Sequence, residues 1–151
     1  MHKESNNYFK FDPRIIRRIN QAVETIKSIF GTNIIEICLF GSYCLNRFHQ
    51  YSSIDILVIL HECDMEFIKR KVELERILNE DYLVPLIDPL VYTEAEVISL
   101  LKEKDSFMDS VIQEAVVLYN GFNEINIEKL SASTIIKSRY LTASPKLQKL
   151  L

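Results

Sequence analysis

The stretch LFGSYCLNRFHQYSSIDILVIL, Leu39 to Leu60, decides how this chain is read. It holds a Gly-Ser pair, a polar segment, and then a single carboxylate, Asp55, inside an apolar run. Ile34 to Phe40 is rich in β-branched residues and predicts a strand. Gly41-Ser42 breaks that strand, and a short helix is expected there because Tyr43, Cys44, Leu45 and Phe48 can share a face. HQYSS reads as loop, and Ile54 to Leu60 as a second strand. Ser53 and Asp55 are two residues apart, so their side chains leave the same face, while Ile54 and Ile56 turn the other way into a core.

Outward from this stretch, the elements alternate. Asp12-Pro13 is an N-cap followed by a favoured first helical residue. Ile15, Ile16, Ile19, Val23, Ile26, Ile29 and Phe30 then recur at helical spacing, and Gly31 is a natural stop. A helix over Pro13 to Phe30 follows, with Arg14, Arg17 and Arg18 expected on its solvated face. After the second strand, Asp64 is expected to cap a helix carrying Phe67, Ile68, Val72, Leu74, Ile77 and Leu78. YLVPLIDPLVY predicts a third strand. Its prolines, Pro85 and Pro89, cannot donate to a ladder, so it belongs at an edge or a bulge. Thr93 with Glu96 three residues on forms a capping box. A last helix is expected from about Ser106 to Tyr119, ending near Gly121.

The predicted order is α-β-α-β-α-β-α-α plus a tail. It implies one α/β domain with a small mixed sheet of three or more strands flanked by helices. Residues 1–12 read as an N-terminal arm, 13–121 as the domain, and 122–151 as a partly helical tail. The tail carries Lys129, Lys137, Arg139, Lys146 and Lys149 against one acid, Glu128. It reads as a solvated helix or frayed end, or else as a docking surface for an acidic partner or RNA.

The 151 residues suit one domain, and 48% apolar content excludes a disordered chain. A net charge of −3 leaves no global basic footprint for nucleic acid. The three cysteines show no CxxC pair, which argues against a structural zinc. Their odd number, with no secretory apolar segment in the first residues, points to a reducing cytoplasm. No apolar run approaches the roughly 20 residues that a membrane span requires.

Chemistry concentrates at three places. Gly-Ser at a strand-to-helix turn presents backbone N–H groups and a hydroxyl, which suits an anion such as phosphate. Asp55 is one carboxylate on a mostly apolar strand, and Asp88 is another, within PLIDPLV. Such acids are costly unless they are paired, protonated or bound to a metal. Two strands with one Asp each, beside a phosphate-binding turn, fit Mg²⁺ and a nucleotide. A phosphate-receiver domain would need an acidic pair after the first strand, where Gly41-Ser42 stands instead.

FGSYCLNRFHQYSSIDILVI resembles the signature of the polymerase-β-like nucleotidyltransferases, in particular the small minimal nucleotidyltransferase (MNT) proteins. Their pattern is a strand, Gly-Ser, about ten residues, Asp-x-Asp on the next strand, and a third Asp on a later one. DSVIQEAVVLYNG also resembles the helix that closes these domains. The resemblance covers most of Ile15 to Gly121 and leaves out the tail. It implies that Gly41 and Ser42 bind the phosphates of an NTP, ATP first among them. It makes Asp55 and Asp88 catalytic residues and ligands to Mg²⁺, with Asp88 the candidate base or second metal ligand. The reaction would place a nucleoside monophosphate on a hydroxyl and expel pyrophosphate. Small MNT proteins usually act with a helical HEPN partner as the antitoxin of a toxin–antitoxin pair, modifying a tyrosine of the toxin or masking it. The short chain fits acting on a protein partner.

Two positions depart from the pattern. Asn46 stands where a second Gly is frequent, a mild change because Asn tolerates left-handed backbone angles. Ser53 stands at the position of the first Asp. A neutral hydroxyl is a weaker Mg²⁺ ligand than a carboxylate, so one ion at most and reduced transfer are expected. Glu36 or Asp64 is the nearby acid that could compensate. The alternative is an inactive nucleotidyltransferase-fold binding module or antitoxin acting through protein contact.

Overall fold

The computed structural model describes residues 13–45 and 47–121. The expectations for Asp12, Asn46 and the basic tail lie outside these residues. The elements run α1 (Pro13–Phe30), a 3-10 turn (Gly31–Asn33), β1 (Ile34–Phe40), α2 (Gly41–Cys44), β2 (Ile54–Leu60), α3 (Phe67–Leu78), β3 (Ile87–Thr93), α4 (Glu94–Lys102), α5 (Ser106–Glu114) and β4 (Val116–Asn120). The sheet order is β3-β2-β1-β4. β1 runs antiparallel to both β2 and β4, and β2 runs parallel to β3, so the sheet is mixed.

Both faces of the sheet are covered, which explains why β1 is buried along its whole length. One core gathers Ile19, Ala22, Val23 and Ile26 of α1 with Leu74 and Leu78 of α3 against Ile37, Ile54, Ile56 and Val58. The other packs Val97 and Leu101 of α4 and Met108, Val111 and Ile112 of α5 against Cys38, Leu57 and Ile59. Cys38 is a small core residue, as its apolar neighbours imply. Among the described residues no helix is long and apolar enough to cross a membrane.

β3 is an edge strand, the position its prolines allow. Its open edge is blunted by α3. Arg70 Nη1 donates to Val91 O at 3.2 Å, and Lys71 Nζ to Pro89 O at 3.4 Å. Arg70 also makes a two-pronged pair with Glu96, at 2.9 and 2.7 Å. Glu96 closes the expected capping box: its N–H donates to Thr93 Oγ1, and its carboxylate accepts from Thr93 N, both at 3.3 Å. Thr93→Ala should therefore lower stability by about 1 kcal/mol. Urea titration of the two proteins measures this, and equal midpoints would refute the cap.

Four expectations need correction. The last helix stops at Glu114, and Val116–Asn120 leaves it as β4, paired with β1 through Ile37↔Tyr119 and Leu39↔Val116. A continuous apolar run of this length is ambiguous by periodicity, and pairing with the open side of β1 decides it. Gly121 is not a helix stop. Its N–H donates to Ile35 O at 2.8 Å, and a Cβ there would run into the Ile34 carbonyl. Asp64 does not cap α3; the N-cap is Glu66, without a side-chain bond. Arg18 is not solvated. It lies on the buried stripe of α1, where its guanidinium donates to Pro85 O and Leu78 O, both at 3.1 Å, and to Asn79 Oδ1 at 2.9 Å. It ties α1 to the segment entering β3, with carbonyls satisfying a cation that would otherwise be costly to bury.

Candidate active site

Asp55 and Asp88 are register partners on the parallel pair β2–β3. Adjacent strands lie about 4.8 Å apart, and side chains of paired residues leave the same face. The two carboxylates therefore stand side by side near the start of both strands. Ser53 precedes β2, and its hydroxyl donates to the Asp55 carboxylate. Phe40, the last residue of β1, pairs with Asp55, so Gly41 follows directly beside it. Gly41 has φ +74, a left-handed angle that favours glycine, and a Cβ at this position would overlap Asp55 Oδ2 and fall 2.9 Å from its Cγ.

These residues open into a cleft of about 390 Å³. Gly41, Asp55 and Asp88 form one wall, and Phe107, Ser110 and Glu114 of α5 form another. Phe107 meets Phe40 edge to face, with ring centroids 6.0 Å apart, which holds α5 against the end of β1. Burial pushes the Asp55 carboxyl up to about 6, helped by the charge of Asp88 and opposed by the Ser53 hydroxyl and Lys71. Lys71 reaches from α3 round the edge of β3 and forms an ion pair with Asp88, with Glu75 Oε2 3.5 Å away. Its burial pulls the ammonium pKa down, but Asp88 and Glu75 outweigh that and hold it above the ordinary lysine value.

Gly41, Ser53, Asp55 and Asp88 thus converge as the sequence pattern suggests, and Ser42 follows Gly41 in α2. Glu36 does not compensate for Ser53. It sits four residues along β1 from Phe40, roughly 13 Å away at strand spacing, and accepts from Asn120 Nδ2 at 3.0 Å. Asp64 follows the far end of β2. Tyr43 is core, 4% exposed and stacked on Phe48 at 4.5 Å. His49 accepts from Tyr51 N within a surface turn and borders a different groove, with Arg14 and Val84. Phe107, Ser110 and Glu114 of the cleft wall, and Lys71, which reaches Asp88 from α3, are what sequence reasoning missed.

Among the described residues no group of three or more His, Cys, Asp or Glu side chains could hold a metal. The donor set is two carboxylates and a hydroxyl. Mg²⁺ is commonly held by one or two carboxylates with substrate phosphates completing the shell, so these residues fit one ion shared with a nucleotide and not two.

A search of curated protein sequences gave no match. Among solved structures, a Sulfolobus solfataricus protein described as a candidate nucleotidyltransferase is 21% identical, over 71% of this chain and 81% of that one, with a TM-score of 0.46. A toxin–antitoxin complex with AMP-PNP contains a chain 19% identical, over 86% of this chain and 93% of that one, at 0.48. A complex of tri-AMPylated Shewanella oneidensis HEPN toxin with MNT antitoxin contains one 18% identical, over 88% and 94%, at 0.42. The family model for polymerase β nucleotidyltransferases matches residues 24–123. That span holds β1, α2, β2 and β3, the elements that set Gly41, Asp55 and Asp88 around one cleft, and the chain belongs to the polymerase β nucleotidyltransferase family.

Proposed function

We propose that the cleft binds an NTP with one Mg²⁺ and transfers its nucleoside monophosphate to a hydroxyl, at a rate reduced by Ser53. The observation that carries this is the pairing of Asp55 and Asp88 beside the left-handed Gly41 turn. In this reading the Gly41 backbone and the Ser42 hydroxyl hold the β- and γ-phosphates. Asp55 and Asp88 would hold the ion, which when bound supplies neutralising charge for the phosphates. The acceptor oxygen forms its bond to the α-phosphorus as the bond to pyrophosphate breaks, and Asp88 accepts the hydroxyl proton. Asp88 suits this task because its side chain is 43% exposed, open to an incoming acceptor. Ser53 orients Asp55 through its hydrogen bond and adds no charge of its own.

The sequence resemblance to MNT proteins makes a tyrosine of a helical HEPN-type toxin the acceptor of choice, with this chain as antitoxin. The test is incubation with α-labelled ATP and Mg²⁺ or Mn²⁺, with and without such a partner. Label should appear on the partner and vanish with Asp55→Asn. No label and no measurable ATP affinity would sink the transferase reading. Ser53 and the Lys71–Asp88 pair favour one second reading, a non-catalytic antitoxin that acts by contact. It predicts an Asp55→Asn variant that still silences the toxin.

A further inference from the structure

Lys71 is placed unusually for a surface lysine. It belongs to α3, whose Leu74 and Leu78 pack on the face of the sheet opposite the cleft. Asp88 lies in the cleft with Asp55. The lysine stem therefore crosses the edge of β3, touches Pro89 O on the way, and delivers its ammonium to Asp88. Phe67, one turn earlier on α3, makes the same crossing and packs on Tyr92 with ring centroids 4.7 Å apart, so the helix is fixed against that edge. The side chain is only 27% exposed. Asp55 feels the same ammonium, and the Ser53 hydroxyl completes the Asp55 environment.

We propose that Lys71 is a built-in countercation that competes with a divalent ion for Asp88, and that Ser53 and Lys71 are two halves of one adaptation to low cation affinity. Ser53 withholds a carboxylate from the starts of β2 and β3, and Lys71 cancels one of the two that Asp55 and Asp88 supply there. The net charge offered to an incoming ion falls from −2, for Asp55 and Asp88 alone, to −1. A single ion recruited by nucleotide phosphates is then favoured over ions bound to the free protein, because the phosphates supply the missing anionic ligands. Glu75 keeps the ammonium partnered if a bound ion displaces it from Asp88, which makes the exchange reversible.

This inference rests on the Asp55–Asp88 cleft being a cation site, and it is tested by cation binding alone. Mn²⁺ affinity without nucleotide is measured by loss of the free-ion electron paramagnetic resonance signal, in the wild type, Lys71→Gln, Lys71→Arg, Ser53→Asp and Ser53→Asp/Lys71→Gln. Lys71→Gln should tighten Mn²⁺ by about tenfold, the scale of groups that tune a metal site from outside its ligands. Lys71→Arg keeps the charge and should stay at the wild-type value. The double variant should bind tightest. Added Mn²⁺ should raise the melting temperature of Lys71→Gln more than that of the wild type, which reads the same competition through folding. If Ser53→Asp tightens binding while Lys71→Gln does not, Lys71 is only a strap on the edge of β3 and the inference fails, with the cation site intact. If no variant binds Mn²⁺, the cation-site reading itself falls and takes the inference with it.

Discussion

Replacing Gly41 by alanine should cost about 3 kcal/mol of stability and abolish nucleotide binding. Two effects combine. Gly41 has φ +74, so any side chain there pays for a left-handed backbone angle. The new Cβ also has no room, because Asp55 lies against the glycine, with Cγ at 2.9 Å and Cβ at 3.1 Å from the would-be methyl. The chain can respond in two ways. Either the turn between β1 and α2 shifts, which moves the backbone proposed to hold phosphate, or the Asp55 carboxylate swings away and loses its place beside Asp88. Both routes dismantle the cleft. Gly31→Ala is the internal control: it too is left-handed, at φ +53, yet nothing lies within 4 Å of its Cβ. It should lose only the backbone contribution, about 1 kcal/mol, and keep nucleotide affinity. Urea unfolding and ATP binding by calorimetry on both variants decide the matter. Equal losses for the two would show that the closeness of Gly41 to Asp55 has no part in the site.

The fold was legible where local signals agree with each other. Helix α1 has its period, its first-turn proline and its glycine stop, and the structure returns Pro13–Phe30. β1 and β2 were marked by β-branched runs, the first ending at Gly41 and the second starting just after the polar Ser52-Ser53 pair. The capping box at Thr93 is local chemistry and was visible for that reason. What failed was non-local. β4 continues the apolar face of α5 in sequence, and only the unfilled side of β1 tells Val116–Asn120 to extend. Gly121 looked like a helix stop because both roles want glycine. Its true constraint is the Ile34 carbonyl, 87 positions away in the chain and invisible to any window. Arg18 shares the stripe of Ile19 and Ala22, a placement the helical period already implied. Residue type suggested solvent, whereas the carbonyls of Leu78 and Pro85 were waiting.

The site divides along the same line. The positions of Gly41, Ser53, Asp55 and Asp88 follow from strand alternation and from a spacing pattern, so their convergence could be anticipated. Lys71 could not be. It stands in the run Lys69-Arg70-Lys71, where one residue points to solvent, one is buried on Glu96 and one crosses the strand edge. Which does which depends on how α3 settles against β3. Ser53 alone suggested an eroded site. On the inference drawn above, Ser53 and Lys71 together lower the charge at Asp55 and Asp88 from two directions.

Asp55→Asn should remove transfer and at the same time stabilise the protein by about 2 kcal/mol at pH 8. The sign follows from the direction of the shift. Asp55 is raised from 3.8 to about 6 in the folded protein, chiefly by burial and next by Asp88. The folded state therefore disfavours the ionised form relative to the unfolded chain. Well below pH 3.8 both states hold the proton and the penalty is absent. It grows as pH rises between the two values and is complete above the folded one. Raising the carboxyl from 3.8 to about 6 corresponds to roughly 3 kcal/mol, reduced to about 2 because the cleft is open to water and salt. Asparagine carries no charge at any of these pH values. Its advantage should thus be largest at pH 8 and much smaller near pH 4. The Lys71–Asp88 ion pair is untouched by the change, so no partner is left buried and unpaired to mask the gain. Denaturant titrations of both proteins at the two pH values test this. An asparagine variant less stable than the wild type at pH 8, or a gap that does not change with pH, would show that Asp55 is a structural acid. The predicted outcome, stability gained as transfer is lost, marks a carboxylate kept in an unfavourable place for what it binds.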